Sequence, residues 1–279
     1  MNVKAEGYDN SLHQGAVVEQ GSRFAYYGRL ILDNVIPILG VFLIWEIYAR
    51  FFTESQALFP TFTATLKETG RQIAKGLYLK DIGWSLYRIF ASMAFGIVIG
   101  TFFGLILGYI KAAERWLIPV FQFFISIPGV AVFPIAILWF GLGEKTILGV
   151  LAFEASITIA FNTWTGVRSI PLALVNAARS MGMKGFHLYW KILVPAALPM
   201  IVTGYRLGFS RAWRVLVAGE MVSAAGYGLG FRIFHAQEFM ATELMFAGVV
   251  TIGILGLLIE RLLLKTIEAY TVERWGMVR

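Results

Sequence analysis

Cysteine is absent from the 279 residues, which excludes disulfides, a thiol nucleophile and a thiolate metal site. Charge is scarce: 15% of the chain is Asp, Glu, Lys or Arg, against about a quarter in ordinary soluble domains. So few polar side chains cannot cover the roughly two soluble domains that this length would otherwise suggest. A soluble enzyme, a disordered chain and a disulfide scaffold are all disfavoured. The three histidines, His13, His187 and His235, lie far apart and lack metal-ligand spacing. Neither H-E-x-x-H nor the phosphate-binding G-x-x-x-x-G-K-[ST] occurs.

What the chain does have is apolar length. Hydrophobic residues make up 58%, and the mean hydropathy is +0.70. The formal charge of +7 fits basic loops beside anionic lipid better than nucleic-acid binding. Residues 1–28 are mostly polar, and the first apolar run starts near Leu30, too late and too long for a signal peptide. They read as a cytoplasmic tail. Six segments approach the ~20 apolar residues that a membrane helix needs: Val35 to Phe52, Leu86 to Ile110, Trp116 to Phe140, Ile147 to Trp164, Ile192 to Val222 and Leu244 to Leu264. Backbone polar groups find no partners in lipid, so spans of this length are helices and not barrel strands. The expected fold is an all-α integral membrane protein.

Lysines and arginines, among them Lys111, Arg115, Arg168, Arg179, Lys184 and Lys191, are more numerous in the segments that lie inside if the N-terminus is cytoplasmic. Both termini are therefore expected inside. In the outer loop Thr53 to Ser85, Leu66, Gly70, Ile73, Ala74 and Leu77 follow helical spacing, with Lys67, Glu68, Arg71 and Lys75 opposite. This predicts an amphipathic helix on the membrane surface. Glu46 and Arg50 have the favourable order for an i, i+4 pair.

The second segment carries Gly96, Gly100, Gly104 and Gly108 at four-residue spacing. They form one smooth ridge that admits a close helix neighbour, within the subunit or between subunits. The third segment is interrupted by Pro119, Pro128, Gly129 and Pro134. That pattern reads either as kinks satisfied by neighbours or as unwound backbone lining a cavity.

The most informative stretch is Pro171-Leu-Ala-Leu-Val-Asn-Ala-Ala-Arg-Ser-Met-Gly182, followed by Met183 to Lys191 and Ile192-Leu-Val-Pro195. Pro171 suits a helix start and Gly182 a left-handed helix end. A second short helix follows, with Phe186, Tyr189 and Trp190 at the interface. The stretch resembles the cytoplasmic coupling loop of ABC importer permeases, written E-A-A-x3-G-x9-I-x-L-P. Asn176, Ala177, Ala178, Gly182, Ile192 and Pro195 fall at its positions, with Asn176 in place of Glu and Val194 in place of Leu. The resemblance extends from about Trp84 to Leu264. The runs Ile137 to Glu144, Gly166 to Ser169, Pro195 to Pro199, Thr203 to Arg206 and Val217 to Glu220 are similar to the branch that imports nitrate, sulfonates, taurine or bicarbonate.

The resemblance implies a type I importer fold and a transport subunit, not an enzyme. It implies a permease dimer, with a homodimer the simpler default. Two cytoplasmic ATPase subunits would hold the ATP and Mg, no cofactor sitting in this chain, and an external binding protein would deliver the substrate at the bacterial inner membrane. Asn176, Ala177, Ala178, Arg179, Gly182 and Met183 are then the ATPase-coupling residues. Asn176 lacks the charge of the usual Glu, which removes any salt bridge that residue makes. The layout is a tail at 1–28, a first span with outer loop at 29–83, a permease core at 84–265 with the coupling loop near 168–191, and a tail at 266–279.

Three charges stand inside predicted spans: Glu154, Arg211 and Arg214. An unpaired charge there costs at least about 3 kcal/mol. Glu154 is therefore expected to pair with one arginine, and the other arginine is a candidate to face the pathway. Pro128 and Gly129 join these three as pathway candidates. Two other classes compete, a secondary transporter and a membrane-embedded enzyme. The first lacks a convincing internal repeat; the second lacks a nucleophile with a base.

Overall fold

The computed structural model describes residues 36–55 and 57–261, which form helices and connecting turns without a strand. The two expected tails, 1–28 and 266–279, lie outside the described residues. The chain divides between Ala64 and Thr65 into two compact units.

In the first unit, residues 36–51 form helix α1, the described part of the first predicted span. Glu46 near its end accepts hydrogen bonds from Arg50 at 2.6 Å and from the Thr63 amide and hydroxyl at 3.0 Å each. The predicted ion pair therefore also caps the first turn of α2 (Phe62–Ala74), the amphipathic helix expected in this loop. Phe42 stacks on Phe62 with centroids 4.4 Å apart.

The second unit is organised around α6 (Glu144–Arg168). Helix α3 (Leu77–Tyr109) packs along one side through the glycine ridge. A Cβ built on Gly100 would stand 2.6 Å from the Ser156 carbonyl oxygen, and one on Gly104 would stand 2.6 Å from that of Ala160. At Gly96 and Gly108 the obstacles are Ala155 and Val167. The ridge thus meets a helix of its own subunit. Helix α9 (Val194–Ser223) lies along another side of α6 with a second G-x-x-x-G step, Gly204 facing Asn162 and Gly208 facing Ile159. Close approach on both sides maximises dispersion contact, which drives helix association in lipid.

The third predicted span is not one helix. Helix α4 (Lys111–Ser126) tolerates Pro119, but the chain then turns extended at Ile127 and Pro128. A 3-10 turn, Gly129–Val132, leads into α5 (Phe133–Phe140), and the two arms are bent by 97°. Pro128 forces the residue before it out of the helical region, and Pro134 starts the next helix where no amide donor is needed. Among the described residues four helices are long and apolar enough to cross a membrane, or five if the bent pair counts as one. The six predicted segments are reduced by this break and by the position of the first, whose start is not described.

Two boundaries also differ from the sequence expectation. Helix α3 begins at Leu77, inside the predicted outer loop, because its polar first turns find buried partners. The short helix after the predicted coupling turn, α8 (Gly185–Leu188), does not stop before the fifth predicted span. It runs through a π turn, Tyr189–Leu193, directly into α9. The wider turn accommodates Pro195, which has no amide donor and crowds the carbonyl four residues back. Helix α7 (Leu172–Ser180) precedes this run, and α10 (Leu229–Glu238) and α11 (Thr242–Ile259) complete the unit.

Candidate functional site

The predicted coupling loop is a helix-turn-helix. Helix α7 starts directly after Pro171 and ends in a Schellman turn: Gly182 N–H donates to the Arg179 carbonyl at 2.9 Å and Met183 N–H to that of Ala178 at 3.1 Å. Gly182 takes φ 85°, a left-handed conformation costly for any residue with a Cβ. The six predicted coupling residues separate by role. Ala178 is buried and Met183 half-buried, and both close the turn. Asn176, Ala177, Arg179 and Gly182 are exposed. The two alanines therefore do not share one open face. The Asn176 carbonyl accepts from the Ser180 hydroxyl at 3.1 Å, while its side chain caps nothing. The exposed apolar residues that flank this face, Leu172 and Met181, are not conspicuous in the sequence, since isolated apolar residues in a loop carry no periodic signal. Tyr189 anchors the loop to the bundle: its hydroxyl donates to the Leu105 carbonyl and its ring lies 4.8 Å from Tyr109.

The intramembrane charges converge on the break between α4 and α5. Arg211 stands 3.3 Å from Glu154 and also donates to the Ile125 carbonyl at 3.1 Å. That carbonyl lies in the last turn of α4, where helical partners run out. Glu154 is buried, and a Cβ on Gly129 would meet its Oε1 at 2.7 Å, so the glycine lets the broken segment lie on the carboxylate. Pro128 imposes the break itself. Arg214 is exposed and donates through Nε to the Ser210 carbonyl, one turn back, at 3.0 Å. Its terminal N–H groups have no partner among the described residues. It lies ~14 Å from the Ser223 end of α9, at ~1.5 Å per residue. Arg211, Arg214, Gln122, Ser126, Thr158 and Asn162 line a hollow of about 470 Å³. Glu154 and Arg211 cancel, which leaves one net positive charge; the Ser126 and Thr158 hydroxyls donate to carbonyls of their own helices, so the neutral donors that remain are the Gln122 amide and the second N–H of Asn162. This arrangement can hold a small monoanion. Among the described residues no cluster of His, Asp or Glu could hold a metal ion.

Comparison with known proteins matches residues 96–265 to the binding-protein-dependent transport system inner membrane component family. The chain belongs to this family. The permease is 35% identical over 191 residues to an ABC transporter permease protein of Brucella melitensis, covering 68% of this chain and 77% of that one. It is 31% identical over 242 residues to the bicarbonate transport system permease CmpB of Synechococcus elongatus, covering 83% and 86%. It is 32% identical over 176 residues to the taurine transport system permease TauC of Escherichia coli, covering 63% and 64%. Its fold is similar to that in the inward-facing MetNI methionine ABC transporter, with a TM-score of 0.59 and 24% identity over 73% of this chain and 97% of that one. The permease is accordingly a transport subunit and not an enzyme.

One polar cluster of the permease escaped sequence reading. At the end of the bundle opposite the coupling loop, Arg88 is fully buried and bridges Glu144, at the start of α6, and Glu220, near the end of α9. Glu220 also accepts from Ser85 at 2.8 Å and from the Gly230 amide at 2.8 Å. Asp81 accepts from Arg232 at 2.7 Å and from the Gly228 amide at 3.2 Å. The glycine-rich loop Gly226 to Gly230 is thus held by carboxylates; Gly226 and Gly228 have φ 101° and 132°. The resemblance runs end on Glu144 and Glu220, yet nothing in their spacing pairs them. His187 is exposed on α8, and His235 lies between Phe231 and Phe239 on α10.

Proposed function

We propose that this chain forms the membrane pathway of an ATP-driven importer for a small monoanion, such as a sulfonate or bicarbonate, delivered by an external binding protein. The single observation that carries the substrate charge is Arg214: a guanidinium with unpartnered terminal donors, in a hollow whose other arginine is already neutralised by Glu154. Such planar donors suit a carboxylate or sulfonate. The name of CmpB describes transport of bicarbonate, a monoanion, and that of TauC transport of taurine, a zwitterion whose sulfonate end offers the same negative group to a guanidinium.

In this reading two copies of the chain enclose the pathway. Two ATPase subunits, carrying ATP and Mg, receive α7 in a groove that grips both of its exposed flanks, Leu172 with Arg179 on one and Ala177 with Met181 on the other. Both termini lie in the cytoplasm. Closure of the ATPase pushes on α7, and the Tyr189 anchor passes the movement to α3.

The test is uptake of radiolabelled taurine and bicarbonate into vesicles that hold permease, ATPase and binding protein. Transport should require all three and ATP, which a secondary transporter would not. Arg214→Gln should lower uptake at least tenfold while assembly is unchanged. Full uptake by that variant would reject the role of Arg214.

A further inference from the structure

We propose that the end of the bundle carrying the coupling loop holds a binding site for the phosphate group of an anionic phospholipid. A hollow of about 770 Å³ opens where α4 begins and α6 ends. Lys111, Arg115 and Arg168 supply three cations to its rim, and Glu114 supplies one carboxylate. Glu114 is already engaged. Arg168 donates to it through Nε at 2.6 Å and Nη2 at 2.5 Å, and the Trp164 indole donates at 3.2 Å. Lys111 and Arg115 have no hydrogen-bond or ion-pair partner among the described residues. They stand four apart and so share one face of α4. The site keeps two uncompensated positive charges side by side.

Its walls point to an amphiphile and not to a free ion. Trp116, Ile118, Pro119 and Trp164 line the same hollow as the cations. Trp116 is 76% exposed in the subunit. Indoles beside Lys and Arg at the end of a span mark the headgroup level of a bilayer. A lipid phosphate would lie on Lys111 and Arg115, with its acyl chains along Trp116 and Pro119. The site differs from the Arg214 hollow in residues and in chemistry, and it does not depend on which solute is transported. Its location suggests a consequence. The Glu114–Arg168 brace ties α4 to the last turn of α6, directly before α7, so a bound headgroup would stiffen the base on which the coupling loop hangs.

The test uses full-length permease copurified with its ATPase, titrated with dioleoylphosphatidylglycerol or dioleoylphosphatidylcholine and read by native mass spectrometry. Phosphatidylglycerol should bind the wild type. Its affinity should fall about 30-fold in Lys111→Gln/Arg115→Gln, since each cation near an anionic surface contributes about fivefold. Removing two other charges, in Lys75→Gln/Lys145→Gln, should leave it within about twofold. Equal losses in the two double variants, or equal binding of phosphatidylcholine, would overturn the proposal. Displacement of the lipid by millimolar inorganic phosphate would overturn it too, in favour of a free-anion site. If the first double variant does not assemble, brominated lipid provides the reading. Brominated phosphatidylglycerol should quench the wild type more than Trp116→Phe, whereas brominated phosphatidylcholine should not distinguish them. Identical phosphatidylglycerol quenching of both proteins would sink the site.

Discussion

Arg88 and Glu220 form an ion pair at 2.7 Å in which each side chain is 1% exposed, joining α3 to α9 beneath the loop that leads into α10. The pair is tolerable because every guanidinium nitrogen and every Glu220 carboxylate oxygen has a partner. Arg88 also reaches Glu144 and the Tyr227 carbonyl, and Glu220 also receives Ser85 and Gly230.

Removing one partner strands a buried charge. Arg88→Met should therefore destabilise the permease by about 3–5 kcal/mol. Glu220→Gln keeps an acceptor for Ser85 and should cost less, about 1–3 kcal/mol. Thermal unfolding in detergent measures both. A melting temperature for Arg88→Met equal to wild type would show that the cluster contributes nothing to stability.

Glycines on α3 should divide sharply by position. Gly100→Leu and Gly104→Leu place a side chain against the backbone of α6 and should lower yield and melting temperature. Gly83→Ala meets nothing within 4 Å and should stabilise by up to about 1 kcal/mol through helix propensity. Similar effects at all three positions would remove close packing as the reason for the ridge.

For the intramembrane charges, the double-mutant cycle of Glu154→Gln and Arg211→Gln should show a coupling of about 1–3 kcal/mol. Arg214→Gln should add independently to Glu154→Gln. Strictly additive melting shifts in both doubles would deny the pair seen at 3.3 Å.

In the proposed coupling loop, Gly182→Leu forces a Cβ into a left-handed position, at about 1–2 kcal/mol. The Schellman turn should open, and ATPase copurification should fall while membrane insertion persists. Leu172→Glu and Met181→Glu leave the turn intact and should weaken copurification alone. If all three variants retain the ATPase, α7 is not its seat.

Because the chain has no cysteine, topology is open to single substitutions. Ser180→Cys should react with an impermeant maleimide only in inside-out vesicles, and Lys145→Cys only in intact spheroplasts. The opposite pattern would invert the proposed orientation.

Much of this was written locally. Long apolar runs, the glycine spacing on α3 and the spacing of Asn176, Ala177, Ala178, Gly182 and Pro195 are each contained in one continuous stretch of chain, so the sequence exposes them. Gly204 and Gly208 carried the same kind of signal and could have been read that way. What only the tertiary structure decided was which surfaces meet. The ridge packs on α6 of the same subunit. Ala178 turns inward while Ala177 turns out. Arg211, not Arg214, takes Glu154. Arg88 finds Glu220 across 132 residues of sequence. In lipid the helices themselves follow from backbone hydrogen bonding, which a segment satisfies alone. A buried charge is satisfied only by whatever the fold brings to it, and no local pattern names that partner.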